Sequence, residues 1–229
     1  RQKGPLVILA RHGSQGDGLL AGALLLKEGR RLRFILKKQL LSDPCLDVVG
    51  HRIPNYFVDR DSLDNKDELT NIGLLARDMA DDEALIIFPE GTRFSTEKLA
   101  KAISALSETA PTRVKSASEL RSVLPPRTAG TLAALAESNA DIVICNHVGI
   151  SDISSLQQLR AAVPLQTELK FKLWRTPRSE VNQTQFVQWL DAQWAIVDDW
   201  VTNNEDVTSP LSTPASFNAD ETATTIEKA

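Results

Sequence analysis

Arg11-His12-Gly13-Ser14-Gln15-Gly16-Asp17 sets a histidine and an aspartate on either side of a short turn, directly after an apolar run. Histidine has an ordinary pKa close to neutrality, so it can take a proton from an alcohol. An aspartate in the first turn of the next helix can fold back on the imidazole, fix its tautomer and stabilise the imidazolium. Gly13 and Gly16 permit the tight turn this needs. The plainer reading is a polar turn residue followed by a helix cap, and H-x4-D alone does not separate the two. Phe88-Pro89-Glu90-Gly91-Thr92-Arg93 is more specific. It offers an exposed amide, a hydroxyl, a fork-shaped cation and a carboxylate within one turn, a set suited to a phosphate monoester beside a hydroxyl. Lys37-Lys38 follows a strand-like run, and Arg60 ends the run Tyr56-Phe57-Val58. Each reads on its own as ordinary surface charge. A second H-x4-D, Asn146-His147 to Asp152, lies further along.

The elements that must position these residues alternate. Pro5 to Ala10, Leu32 to Leu36, Tyr56 to Val58, Ala84 to Phe88 and Asp141 to Cys145 are short apolar runs that read as buried strands. Leu165 to Leu173 alternates imperfectly and reads as a sixth. Helical periods cover Leu19 to Lys27, ended by Gly29, and Leu63 to Met79, Thr96 to Leu106, Thr128 to Ser138, Ser151 to Ala162 and Gln183 to Thr202. Ala110 to Pro126 reads as a basic loop. The class is α/β, with a mostly parallel central sheet flanked by helices on both faces. A histidine leaving the end of such a strand projects into the crevice where ligands of these sheets bind. Phe186, Trp189, Leu190, Trp194, Val197 and Val201 share one helix face and read as core.

The 229 residues suit one domain, residues 1–203, followed by a tail at 204–229. Rich in Thr, Ser, Asn and Ala, the tail cannot bury enough apolar surface to offset its ordering entropy and reads as disordered. Five acids and one lysine in the tail account for the whole formal charge of −4, so the body is neutral. That argues against a nucleic-acid binder. Cys45 and Cys145 make neither a CxxC nor a disulfide framework, which fits a reducing compartment and gives no metal signature. The longest apolar run, Gly18 to Leu26, is about half of a bilayer span. The chain opens on Arg1, and an anchoring segment upstream is compatible with that start. Lys27, Arg30, Arg31, Arg33, Lys37 and Lys38 stand against Glu28 alone. This run reads either as a solvated helix end and strand edge or as a contact for anionic lipid headgroups.

Taken in order, the four stretches resemble the signature of the glycerol-3-phosphate and 1-acylglycerol-3-phosphate acyltransferases, the PlsC-like family. His12 to Asp17 matches its H-x4-D, with Arg11 where Asn is common. Phe88 to Arg93 matches FPEGTR without a change. Pro54 to Arg60 matches G-x-x-F-[IV]-x-R except at Pro54, and Lys37 matches the lysine before it. The fourth block, V-x-P-V, has no clean counterpart. Leu124 to Gly130 (LPPRTAG) resembles the actinobacterial members. The resemblance covers roughly residues 5 to 150 and implies a glycerol-3-phosphate acyltransferase-like fold. It makes His12 the general base on the acceptor hydroxyl and Asp17 its orienting acid. Lys37, Arg60 and Arg93 would hold the phosphate, with Glu90, Gly91 and Thr92 positioning the acceptor. The donor would be acyl-CoA or acyl-carrier protein, with no further cofactor, no metal and no acyl-enzyme. The acceptor would be 1-acylglycerol 3-phosphate; alternatives are glycerol 3-phosphate, another lysophospholipid, or an inactive lipid-binding relative. The expected location is the cytoplasmic face of a membrane, peripheral or anchored by a segment not present here. Because the family's histidine block precedes FPEGTR, the resemblance assigns the base to His12, leaving His147 as a strand-end or structural residue.

Overall fold

The computed structural model describes residues 3–14, 16–37, 55–58, 65–151, 153, 156–162, 164 and 168–205. Among the described residues six strands form one sheet: β1 Leu6–Ala10, β2 Arg31–Lys37, β3 Asn55–Val58, β4 Glu83–Ile87, β5 Asp141–Val148 and β6 Lys170–Thr176. Their order is β3-β2-β4-β1-β5-β6. The first five run parallel and β6 runs antiparallel to β5. The helices among the described residues are α1 Asp17–Lys27, α2 Asn65–Ala76, α3 Thr96–Thr109, α4 Val114–Ser118, α5 Ala129–Ala136, α6 Leu156–Ala161 and α7 Phe186–Asn204.

β1 and β4 are buried at every position, as continuous apolar strands covered on both faces must be. Alternate side chains feed two cores. Leu6, Ile8 and Ala10 pack with Ala84, Ile86, Val143 and Cys145 against Ala21 and Leu25 of α1. Val7, Leu9, Leu85, Ile87, Ile142 and Ile144 face the other way, toward α2, α5 and α7. The sheet is therefore mixed and mostly parallel, with helices on both faces. The chain leaves β1 toward β2 and leaves β4 across β1 toward β5, so the carboxyl ends of β1 and β4 lie side by side where the strand order reverses, the position at which ligands of such sheets bind.

Three details depart from the sequence pattern. The last strand lies over Lys170–Thr176 rather than Leu165 to Leu173, because β5 sets its register, from Val148↔Lys170 to Ile142↔Thr176. Within the expected loop 110–126 sit a 3-10 turn, Pro111–Arg113, and the short helix α4. These are held from outside by α7: Asp191 pairs with Arg113 at 2.6 Å, and buried Asp198 accepts from the amides of Arg121 and Ser122 at 2.8 and 2.6 Å. Three arginines of the basic run are engaged by neighbouring loops and strands, Arg31 while still exposed. Arg30 donates to the carbonyls of Gly4 and Asp81 at 2.6 and 2.7 Å, Arg31 pairs with Asp82 at 2.8 Å, and Arg33 binds Glu83 at 2.5 Å and the Leu75 carbonyl at 2.7 Å. Asn204 closes α7 and Glu205 still belongs to the packed body; the tail from 206 onward lies outside the described residues. Among the described residues no helix is long and apolar enough to cross a membrane.

Trp194 is the largest fully buried side chain and joins α7 to the sheet. Trp194→Ala should cost about 3–5 kcal/mol of unfolding free energy in a denaturant titration. A loss under about 1 kcal/mol would mean that α7 is not part of the main core.

Candidate active site

β1 ends at Ala10, and the next residues turn around a single carboxylate. Asp17 opens α1 but does not cap it. Its side chain reaches back over the turn instead, 99% shielded from solvent. Ser14 donates to it twice, from its amide to Oδ1 and Oδ2 at 3.0 and 2.9 Å and from its hydroxyl to Oδ1 at 2.5 Å. His12 Nδ1 meets Oδ2 at 3.0 Å. With Nδ1–H pointed at the carboxylate, Nε2 keeps its lone pair for an incoming hydroxyl. The imidazole retains 20% exposure, and the Phe88 ring flanks it with centroids 4.8 Å apart. Burial opposes a charge on Asp17. The hydrogen bonds from His12 and Ser14, with the His147 imidazole at ion-pair distance, outweigh it and hold this carboxyl well below its ordinary value.

Arg11 fixes the turn from beneath. Only 2% exposed, its guanidinium donates to the His147 carbonyl at 3.0 Å, to Ser151 Oγ at 3.1 Å and to Glu205 at 3.3 Å. It also lies flat under Gly13, where a Cβ would come within 2.9 Å of Arg11 Cζ. The expected glycine is thus favoured by close approach to the buried guanidinium and not by a left-handed φ.

The FPEGTR turn leaves β4 alongside. Glu90 Oε1 accepts from the His12 amide at 2.7 Å and Oε2 from the Leu124 amide at 2.8 Å. Both oxygens are therefore engaged, and the side chain is only 2% exposed, so Glu90 ties three loops together. The Phe94 amide donates to the His12 carbonyl at 3.2 Å, which brings Arg93 next to the histidine in space. Thr92 Oγ1 accepts from Lys98 Nζ at 3.2 Å, and the same ammonium binds the Arg93 carbonyl at 2.9 Å. Gly91 has φ +72°, and a Cβ there would sit 3.1 Å from Arg127 Nε. The exposed Arg127 side chain lies across this glycine while its amide donates to the Pro89 carbonyl at 2.8 Å.

Of the residues singled out from sequence, His12, Asp17, Glu90, Gly91, Thr92 and Arg93 gather at the ends of β1 and β4. Lys37 closes β2, with its side chain outside the described parts, and Arg60 lies outside the described residues. Four participants were not picked out as site residues: Ser14, Arg11, Arg127 and His147. Ser14 left a signal in its place two residues after the histidine, where a hydroxyl and amide can close an Asp turn. Arg11, Arg127 and His147 act across long sequence separations: His147 stands in its own H-x4-D and Arg127 in LPPRTAG, but neither pattern shows which groups they meet. Asp152, the partner His147 would have in its own H-x4-D, lies outside the described residues. No group of three His, Cys, Asp or Glu side chains among the described residues is arranged to hold a metal ion.

Burial pushes the Glu90 carboxyl from 4.5 up to about 8, against the pull of the Leu124 and His12 amides. The native state then holds a proton that the unfolded chain has already lost, so this group's contribution falls as pH rises from 4.5 to about 8. In urea titrations, the stability difference between the wild type and Glu90→Gln should shrink over that window. A difference independent of pH would remove the assignment.

No curated protein and no solved structure matches the chain. Residues 1–110 match the family model described as Acyltransferase. The matched part holds the His12–Asp17 pair and the whole FPEGTR turn, whereas Arg127 and His147 lie beyond it. Through residues 1–110 the chain is similar to the acyltransferase family, a broad superfamily that includes the PlsC-like enzymes.

Proposed function

We propose that this protein transfers a fatty acyl group from an acyl thioester, acyl-CoA or acyl-carrier protein, to the free hydroxyl of 1-acylglycerol 3-phosphate. The observation that carries the reading is the shielded Asp17 carboxylate on His12 Nδ1 at 3.0 Å, in a turn stitched to the FPEGTR segment through Glu90 at 2.7 Å and Phe94 at 3.2 Å. His12 Nε2 takes the proton of the acceptor hydroxyl as its oxygen attacks the thioester carbonyl. The tetrahedral intermediate collapses, the C–S bond breaks, and the imidazolium returns its proton to the leaving thiolate. Asp17 stays ionised throughout and stabilises the imidazolium. Arg93, joined by Arg127 across Gly91 and by Lys37 and Arg60 in the family pattern, supplies the cations for the acceptor's phosphate. Leu19, exposed in the first turn of α1 that Asp17 opens, puts an apolar side chain at this end of the molecule, suited to a lipid substrate at a membrane.

Purified protein assayed with acyl-CoA and a panel of lysophospholipids and glycerol 3-phosphate tests the reading. His12→Ala should lower kcat by about three to four orders of magnitude. A variant that keeps most of its turnover would exclude His12 as the base. Arg93→Ala should raise KM for a phosphorylated acceptor on the order of 10- to 100-fold, as for a lost charge-assisted hydrogen bond. An equal effect on an acceptor without phosphate would assign Arg93 to the fold instead.

A further inference from the structure

His147 is nearly out of reach of solvent, at 1% exposure, at the penultimate position of β5, and its Nε2 stands 3.1 Å from Asp17 Oδ1. That distance is within ion-pair range, although the ring's angle falls short of a hydrogen bond. Asp17 is thus faced by two imidazoles, His12 on Oδ2 and His147 on Oδ1. His147 is held by its surroundings: β5 pairs it with Phe171 of β6, the two rings lie 6.1 Å apart, and Arg11 binds its carbonyl at 3.0 Å. A buried imidazole costs free energy unless a polar partner meets it. Nδ1 has no hydrogen-bond partner among the described residues, so the carboxylate is the group that answers for this side chain. A nitrogen facing an ionised carboxylate must carry its proton.

Resting on the acyl-transfer reading above, we infer that His147 is a positioning residue that presents Nε2–H to Asp17 at ion-pair distance, limits the rotation of the carboxylate, and tempers its pull on His12. The carboxylate has a limited capacity to accept, and charge drawn toward one imidazole is withdrawn from the other. The other titratable or charged groups around it among the described residues are Glu90 and Cys145, both raised by burial and by the Asp17 charge, and Arg11. These stay in place when His147 is replaced. Without His147, Asp17 is freer to turn away from His12, and its full charge bears on the imidazolium. The first effect lowers kcat; the second raises the pH at which His12 protonates.

The experiment compares wild type, His147→Ala, His147→Gln and His12→Ala in steady-state assays across pH and in nitrogen-15 imidazole NMR titrations. His147→Ala should lose about 10- to 100-fold in kcat, the range of a positioned partner, with KM for both substrates within about twofold. Its acid limb should move to higher pH, and the His12 resonances should titrate at higher pH with it. His147→Gln, which restores an N–H donor, should recover most of kcat and the wild-type limb. Unchanged kcat and an unchanged His12 titration in His147→Ala would overturn the inference, as would a glutamine variant as impaired as alanine although both fold. The NMR arm does not depend on turnover. If the wild type transfers no acyl group, or if His12→Ala keeps its rate, the functional reading fails, while the His12 titration still decides the role of His147.

Discussion

The Asp17 carboxylate is almost wholly removed from water and remains charged, and the local architecture is arranged to make that tolerable. Burying an unpaired carboxylate costs several kcal/mol even after relaxation. Here the amide and hydroxyl of Ser14 and the Nδ1 of His12 take up its lone pairs, with a second imidazole at ion-pair distance. Each of these groups has to be held in place. Ser14 is oriented by its own turn, where the Gly16 amide donates to its hydroxyl at 3.0 Å. His12 is held by Glu90 on one side of its backbone and by Phe94 on the other. The order in this corner of the molecule follows from the electrostatic requirement of one side chain, and the imidazole that shares the charge is the group with chemistry to do.

The sheet supplies the frame. Parallel strands that are apolar on both faces can only lie in the interior, so β1, β4 and β5 sit at the centre and release their carboxyl-terminal loops at one edge. Three loops distant in sequence then meet there without adding strain to the core. The outer elements need less. The α3 helix buries none of its residues fully and is held through its Ser95 cap and the flank of Leu99. The difference matches their tasks, since a shift of an ångström at the end of β1 disturbs proton transfer, whereas the same shift along α3 disturbs little.

How much was legible in the sequence follows from the range of the forces involved. Continuous apolar runs announce buried strands by themselves, and β1, β4 and β5 fall where those runs are, with β5 extending three residues further, to Val148. The His12–Asp17 contact was legible because it closes within one turn. The Pro111–Ser118 segment was not, because its folded shape is dictated by Asp191 and Asp198, about eighty residues away, and short helices have weak propensity signals. The basic run at 27–38 looked like a surface patch because composition does not reveal that Arg30 and Arg33 end on backbone carbonyls. His147 was weighed as a rival base by its motif. Parallel pairing of β1 with β5 sets it beside the same aspartate instead, a relation that no spacing along the chain encodes.

β1 has neighbours on both sides, and one of them, β5, arises well past residue 110. The same is true of the Leu124 amide on Glu90 and of the Glu205 carboxylate on Arg11. A fragment ending where the family match ends would therefore leave the central strand as a bare edge, with Glu90 short of one amide and Arg11 without its carboxylate. The smallest piece able to stand alone is larger than the recognisable piece. The first half depends on the second for one strand, one amide and one acid, each returned to a fixed place.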